Sequence, residues 1–354
     1  MVVIPVVKQI NINSKLYNYS VEFNLNSKRL LKKINDESYV LIDKNLLKYS
    51  KINNLDKLYS NKIIKIIPKE NAKEFHEIGR IINKLLKLGI KKKSKLYVIG
   101  GGILQDIGGF ISSILFRGIQ WEYIPTTLLS QGDSCIGSKT SINFKQFKNQ
   151  IGTFRPPLKI NIDFSFLKTL SKSDLFSGLG EMSHYLIIGG EKTFRILENE
   201  LNNTKINYKK LIFESLYIKK KYIEKDEFDN SIRNILNYGH TFGHAIESAT
   251  NYNVPHGIAV SLGIDISNYF SVKHNLMNNQ DKDRIKKTLI KIFGKIEIKT
   301  ININKIFQAI KNDKKSDKRF INLIMCIRPG NMVIKRIMID NNFKKLLNSY
   351  FKNL

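Results

Sequence analysis

The residues with the clearest chemical potential lie in RNILNYGHTFGHAIE, positions 233–247. Arg233, Asn237, His240 and His244 recur there at i, i+4, i+7 and i+11. At about 100° per residue that spacing projects four polar groups from one narrow helix face. Their neighbours Ile235, Leu236, Phe242 and Ile246 are apolar, so the polar stripe runs through a hydrophobic segment. Gly239 and Gly243 interrupt it, each at about 1 kcal/mol against alanine in a helix, and close packing or a ligand explains their presence. A carboxylate, Glu181 in SGLGEMSHY, and a third imidazole, His256 in VPHGIAV, complete a set of metal-ligating types. One carboxylate and two imidazoles with open positions suit a catalytic zinc site. The spacing leaves open which of His240, His244 and His256 are ligands, with His184 a fourth candidate. The ordinary alternative, a solvated face carrying two histidines, does not account for four convergent polar groups and two helix glycines.

Two further stretches suit anions and hydroxyls. In YVIGGGILQDIGGF (97–110) a glycine cluster, Gly100 to Gly102, follows a β-rich run and precedes a helix expected near Asp106. Glycines let the backbone approach a pyrophosphate, and a helix N-terminus adds unpaired N–H groups. The spacing matches neither G-x-G-x-x-G nor a Walker A loop, and such a cluster is equally a plain structural turn. Asp106 is placed to hold a nicotinamide ribose or to cap the helix. The run 125–157 gathers Thr126, Thr127, Asp133, Lys139, Lys148, Asn149 and Arg155 near glycines. Lysine and asparagine beside such turns cradle phosphate, and Asp133 accepts from sugar hydroxyls. A polar surface loop is the alternative.

These groups need elements to position them. YVLID (39–43), KIIKIIP (62–68), KLYVIGG (95–101) and IQWEYIPTT (119–127) read as strands, and 73–90 as a helix ending at Gly89. Alternating strands and helices imply a parallel, doubly wound sheet. From about 165 the pattern is mostly helical, over 173–188, 192–203, 206–226, 231–250, 256–275 and 281–294. The expected organisation is therefore an α/β nucleotide-binding domain (1–164) packed on an α-helical domain (165–354), with a ligand cleft at their seam. A chain of 354 residues suffices for two such cores.

Composition narrows the classes. The formal charge is +29, but lysine is spread along the whole chain, and runs such as Lys91-Lys92-Lys93 and Lys219-Lys220-Lys221 lack interleaved stacking aromatics. Nucleic acid is therefore not the expected partner; a positive field instead favours an acidic, phosphorylated substrate. Two distant cysteines, Cys135 and Cys326, exclude a disulfide framework and fit a reducing, cytoplasmic compartment. No uncharged apolar run reaches membrane-spanning length. The stretch MVVIPVVKQININSK reads as a first strand rather than a secretion signal.

Taken in order, GGGILQDIGGF, FRGIQWEYIPTTLLSQGDS, GSKTSIN, KNQIGTF, FLKTL, SGLGE, RNILNYGHTFGHAIE and HGIAV resemble the 3-dehydroquinate synthase family over roughly residues 40–330. The family includes related sugar-phosphate cyclases and has distant relatives among metal-dependent polyol dehydrogenases. The resemblance implies that Glu181, His240 and His256 hold a zinc (or cobalt) ion. It assigns NAD contacts to Asp43, Asn45, Glu70, Lys73, Gly101, Gly102, Asp106, Thr126, Thr127, Lys148 and Thr169. Substrate phosphate would meet Lys139, Asn149, Asn237, His244 and Lys314, the substrate carboxylate Lys219 and Arg233, and ring hydroxyls Asp133. Arg117 in LFRG resembles an arginine lent to the neighbouring subunit of a homodimer.

The implied substrate is 3-deoxy-D-arabino-heptulosonate 7-phosphate. Hydride leaves C5 for NAD⁺, the new ketone acidifies the C6 proton, phosphate departs by β-elimination, the hydride returns, and ring opening with aldol closure gives the carbocycle. Much of this demands positioning rather than added bases. Retention of both Lys219 and Arg233 favours a carboxylate-bearing substrate over those of the 2-deoxy-scyllo-inosose and valiolone cyclases. A polyol dehydrogenase would release NADH and need no phosphate lysines. The chain departs from the family pattern where His184 replaces a lysine three residues after Glu181, at Ser138, and at Ile258 in HGIA.

Overall fold

The computed structural model describes residues 9–24, 34, 37–49, 62–145, 147–294, 302–312 and 319–353. The chain forms two compact units, Met1–Ser171 with Lys220–Phe228, and Lys172–Lys219 with Asp229–Leu354. The first is the expected α/β part and the second is largely helical.

Strands of the first unit are β1 (Gln9–Ile12), β2 (Tyr19–Asn24), β3 (Tyr39–Asp43), β4 (Ile63–Ile66), β5 (Lys95–Gly100), β6 (Gln120–Pro125), β7 (Lys139–Phe144), β8 (Phe147–Phe154) and β9 (Lys159–Asp163). Seven of them form one sheet in the order β1-β2-β9-β6-β5-β3-β4. Every pairing is parallel except β1 with β2, so an antiparallel edge closes an otherwise parallel sheet. β3 is buried along its whole length, as a central parallel strand covered on both faces requires. Val40, Ile42, Tyr97, Ile99, Ile124 and Phe166 share one core cluster.

Helix α1 (Phe75–Lys87) buries Ile78, Ile81 and Leu85 on one stripe. It stops because Gly89 takes φ +85°. Gly89 N–H then donates to Leu86 O and Ile90 N–H to Leu85 O, the two bonds of a Schellman cap. Helix α2 (Gly102–Ile114) begins within the glycine cluster itself, four residues earlier than expected. The polar run 125–157 is not an open loop. It folds into a π-helical turn, Ser130–Ser134, and the antiparallel β7–β8 hairpin. The alternating burial of KTSINF on β7 is the reason.

The second unit contains α3 (Lys172–Ile188), α4 (Glu191–Asn202), α5 (Tyr208–Lys225, whose last turn belongs to the first unit), α6 (His240–Ala249), α7 (His256–Lys273), α8 (Asn279–Phe293) and α9 (Ile303–Lys311). A hairpin of β10 (Phe320–Arg328) and β11 (Asn331–Met338) precedes α10 (Asn341–Lys352). The expectation of a mostly helical unit holds but did not place that hairpin. Helices α3 and α7 are buried almost all round and form the centre of this unit. No helix among the described residues is long and apolar enough to cross a membrane.

Candidate metal centre and ligand-binding residues

The expected single polar stripe is divided in two. Residues Ile232–Asn237 form a 3-10 turn, and α6 starts afresh at His240. Gly239 separates them at φ +83°, a left-handed conformation that a side chain would strain. Arg233 and Asn237 therefore lie on the turn, whereas His240 and His244 share a face of α6. The broken geometry starts α6 with His240 beside Glu181.

Glu181 and His256 meet for a different reason. Helices α3 and α7 touch through Gly180 and Gly257. A β-carbon on Gly257 would land on the Ser177 carbonyl oxygen, and one on Gly180 on the Gly257 carbonyl oxygen. The Gly257 N–H donates to Ser177 Oγ at 3.1 Å, fixing the contact. Glu181 and His256 each sit one residue beyond this contact, so backbone proximity delivers their side chains to one another.

The result is compact. His240 Nε2 lies 3.5 Å from Glu181 Oε1 and His256 Nε2 3.3 Å from Glu181 Oε2. One donor atom from each residue falls within 4.8 Å of the others. The second ring nitrogens are also engaged: His240 Nδ1 faces Tyr238 O at 3.4 Å, and His256 Nδ1–H donates to Glu247 Oε2 at 2.9 Å. Such outer partners fix tautomer and ring orientation in metal sites. Glu181 Oε2 is buried without a hydrogen bond. A buried carboxylate facing two oriented imidazoles, with mutual separations near a coordination sphere's edge lengths, fits a divalent borderline ion.

Charge follows the same arrangement. Burial alone would raise the Glu181 carboxyl, but His240 and His256 outweigh it and hold it well below the usual carboxylate range. Burial pulls His256 down, yet Glu181 and Glu247 outweigh it and hold it well above an ordinary histidine.

Around this cluster, His244 is exposed, its ring 5.5 Å from His240 and 5.6 Å from His256. His184 is wholly buried, its ring tilted against Tyr185 with centroids 3.8 Å apart and edge-on to His240 at 5.1 Å. Its Nδ1 is 4.0 Å from Glu181 Oε1, and it does not join the three-residue cluster. Lys219 and Arg233 are buried cations, Lys219 with its ammonium 5.8 Å over the Tyr185 ring. The Asn237 side chain donates to Asn234 O. Lys314 lies outside the described residues.

In the first unit most of the residues assigned to NAD follow the carboxyl ends of neighbouring parallel strands. Asp43 ends β3, Glu70 and Lys73 follow β4, Gly101, Gly102 and Asp106 follow β5, Thr126 and Thr127 follow β6, and Thr169 follows β9. That end of an open α/β sheet is where ligands bind. Asp43 Oδ1 accepts from Asn45 N–H at 2.8 Å, the Thr127 hydroxyl donates to Ser130 Oγ at 2.8 Å, and Thr169 donates to Phe166 O. Asp106 is not a cap. It lies one turn inside α2 and accepts from Lys73 Nζ at 2.7 Å and from Ser141. Lys73, buried, also donates to Asn149 Oδ1 at 2.6 Å. Asn149 itself holds φ +53° on β8, its N–H bonded to Asn143 Oδ1, whose amide donates to Glu70. Asp133 is half-buried in the π-helical turn, and Lys139 and Lys148 are exposed on the hairpin. Arg117 is exposed at φ +59° in a left-handed turn with Phe116.

Glu247, Ser141 and Asn143 escaped the sequence reading. Glu247 left a signal, standing at i+7 from His240 and i+3 from His244 on the same helix face. Ser141 and Asn143 left none beyond the alternation of β7.

Residues 63–177 match the model of the 3-dehydroquinate synthase N-terminal region and 178–316 that of its C-terminal region. The 3-dehydroquinate synthase of Dictyoglomus turgidum is 39% identical over 286 residues, 78% of this chain and 79% of the relative. A solved 2-deoxy-scyllo-inosose synthase, complexed with carbaglucose-6-phosphate, NAD⁺ and Co²⁺, superposes with TM-score 0.85 at 21% identity, covering 96% of this chain and 99% of that one. The 2-epi-5-epi-valiolone synthase of Streptomyces hygroscopicus subsp. jinggangensis, with NAD⁺ and Zn²⁺, gives 0.84 at 19% identity over 96% and 98%.

Proposed function

Because the chain belongs to the 3-dehydroquinate synthase family, we propose that it converts 3-deoxy-D-arabino-heptulosonate 7-phosphate to 3-dehydroquinate and phosphate, as a carbon–oxygen lyase using NAD and a divalent ion, zinc or cobalt. The observation that carries the reading is the Glu181–His240–His256 cluster, with its buried carboxylate and oriented imidazoles.

When bound, the ion supplies Lewis acidity toward a substrate hydroxyl and NAD a reversible hydride acceptor, so the net reaction is redox-neutral. The protein's own part is positioning. Glu181, His240 and His256 hold the ion, with Glu247 and the Tyr238 carbonyl aligning the two rings. Lys219 and Arg233, both already desolvated, suit a fixed carboxylate; in a buried setting each such charge-assisted bond is stronger than in water. His244 and Asn237, with Lys314, are assigned to the phosphate, as are Lys139 and Asn149 of the first unit. Asp133 is assigned to ring hydroxyls. The strand-end residues Asp43, Asn45, Glu70, Lys73, Gly101, Gly102, Asp106, Thr126, Thr127 and Thr169, with Lys148 on the hairpin, are assigned to NAD. His184 packs beneath the cluster, where it shapes Glu181 and His240 from below. The exposed Arg117 turn supports a homodimer in which that arginine serves the neighbouring subunit, and the reducing-compartment cysteines support a cytoplasmic setting.

The test is incubation of the purified chain with NAD⁺, Zn²⁺ and separate sugar phosphates, following phosphate release and product mass. Phosphate and dehydroquinate from the heptulosonate phosphate are expected. Release only from glucose 6-phosphate or sedoheptulose 7-phosphate would transfer the chain to another cyclase substrate, and stoichiometric NADH without phosphate would make it a dehydrogenase.

A further inference from the structure

His256 looks two ways. Its Nε2 faces Glu181 and its Nδ1 faces Glu247. Glu247, on the Nδ1 side, belongs to a second group able to hold an ion: His244, Glu247 and His256, one donor atom of each within 4.8 Å of the others. It has the same donor chemistry as the inner cluster, two imidazoles and one carboxylate. Exposure is graded across the pair. His244 is open to solvent, the His256 side chain is 32% exposed, those of Glu247 and His240 are 13% and 12%, and that of Glu181 is 4%. The inner carboxylate is thus the most buried of the five side chains.

We propose that His244, Glu247 and the Nδ1 side of His256 form an outer, transient position for a divalent ion, from which the ion passes to Glu181, His240 and His256. This rests on the reading of the inner cluster as the resident metal site. The two positions are alternatives and not a binuclear centre. A neutral imidazole has one lone pair, so His256 serves both ions at once only by losing its second proton. Transfer breaks the bonds from the ion to His244, Glu247 and His256 Nδ1. It forms bonds to Glu181, His240 and His256 Nε2, while the ring proton moves through solvent from Nε2 to Nδ1. Glu247 then accepts that Nδ1 proton, as it does in this structure. One carboxylate therefore acts as ligand in the outer state and as ring-orienting partner in the inner one.

The experiment uses the metal-free full chain and Co²⁺, with stopped-flow absorbance for association, chelator chase for dissociation and calorimetry for affinity. In His244→Ala and His244→Gln, association and dissociation should both slow at least tenfold while the dissociation constant stays within about twofold, the signature of a lost way-station. Glu181→Gln should still bind one Co²⁺, more weakly and with an altered visible spectrum, and Glu181→Gln/His244→Ala should lose it. Unchanged rates in both His244 variants, or no Co²⁺ on Glu181→Gln, overturn the outer position while leaving the inner site intact. No Co²⁺ on the unmodified chain would overturn both.

Discussion

The two sets of ligand-binding residues are built on opposite plans. In the second unit three side chains from three helices are forced together by backbone contact at Gly180–Gly257 and by one left-handed glycine, Gly239. In the first unit, residues follow five strand ends and occupy one hairpin, and they satisfy one another in a chain from Glu70 through Asn143, Asn149 and Lys73 to Asp106. A concentrated site fails when any single support is removed. A distributed one loses function by increments.

The largest predicted effect strikes the concentrated plan. Gly257→Ala places a methyl group on the Ser177 carbonyl, backbone against backbone, with no flexible neighbour to give way. Overpacking of this kind costs roughly 3 kcal/mol, so we expect a lowered melting temperature and loss of tight metal binding together. A normal melt with normal metal affinity would show that the helix contact is not what assembles the centre.

The next effects separate ligand from support. Glu247→Gln should weaken metal binding about 10- to 100-fold, the range for an outer partner of a ligating histidine. Glu181→Gln should exceed that loss. Calorimetric titration decides, and equal losses would place Glu247 among the ligands.

Proton linkage gives a smaller, graded effect. Glu181 and Glu247 hold His256 well above the ordinary histidine value, so an ion that takes its ring nitrogen competes with a proton. Metal affinity should therefore rise with pH until His256 is deprotonated, and fall as pH drops below that point. Titration in buffers of differing ionisation enthalpy should find protons released on ion binding, more of them at lower pH. No release would contradict the Glu181–His256–Glu247 arrangement.

The smallest effect belongs to the distributed plan. Thr169→Ala removes one hydroxyl from several strand-end groups. Its expected cost in NAD affinity is less than about tenfold, the size of one net hydrogen bond. A loss near that of Glu181→Gln on metal would mean that the first unit is concentrated too.

The same contrast governs what the sequence made legible. Strands such as β3 and β5 were readable because a buried parallel strand is a continuous β-branched and aromatic run. The helix stop at Gly89 was readable from its type. The stripe at 233–244 misled because helical spacing takes no account of a left-handed glycine inside it. The β10–β11 hairpin was missed because an apolar run such as INLIMCI fits strand or helix equally. The residue types announced metal chemistry but left four histidines as ligand candidates. Separating them requires the approach of α3 and α7, a tertiary contact between residues about 75 apart that no local pattern encodes. The resemblance of motifs supplied that choice, and the geometry places the three residues it named within one coordination-sized cluster. Glu247 is the counter-example, a residue whose helix-face spacing was visible and went unread.

The chain is read as a metal- and NAD-dependent cyclase acting on a carboxylate-bearing sugar phosphate. The most direct measurement is phosphate release from 3-deoxy-D-arabino-heptulosonate 7-phosphate by the purified chain with catalytic NAD⁺, before and after chelation and readdition of Zn²⁺. Dehydroquinate and phosphate are expected in equal amounts, with no net NADH, loss on chelation and recovery with the ion. Net NADH formation, or turnover untouched by complete metal removal, would contradict it.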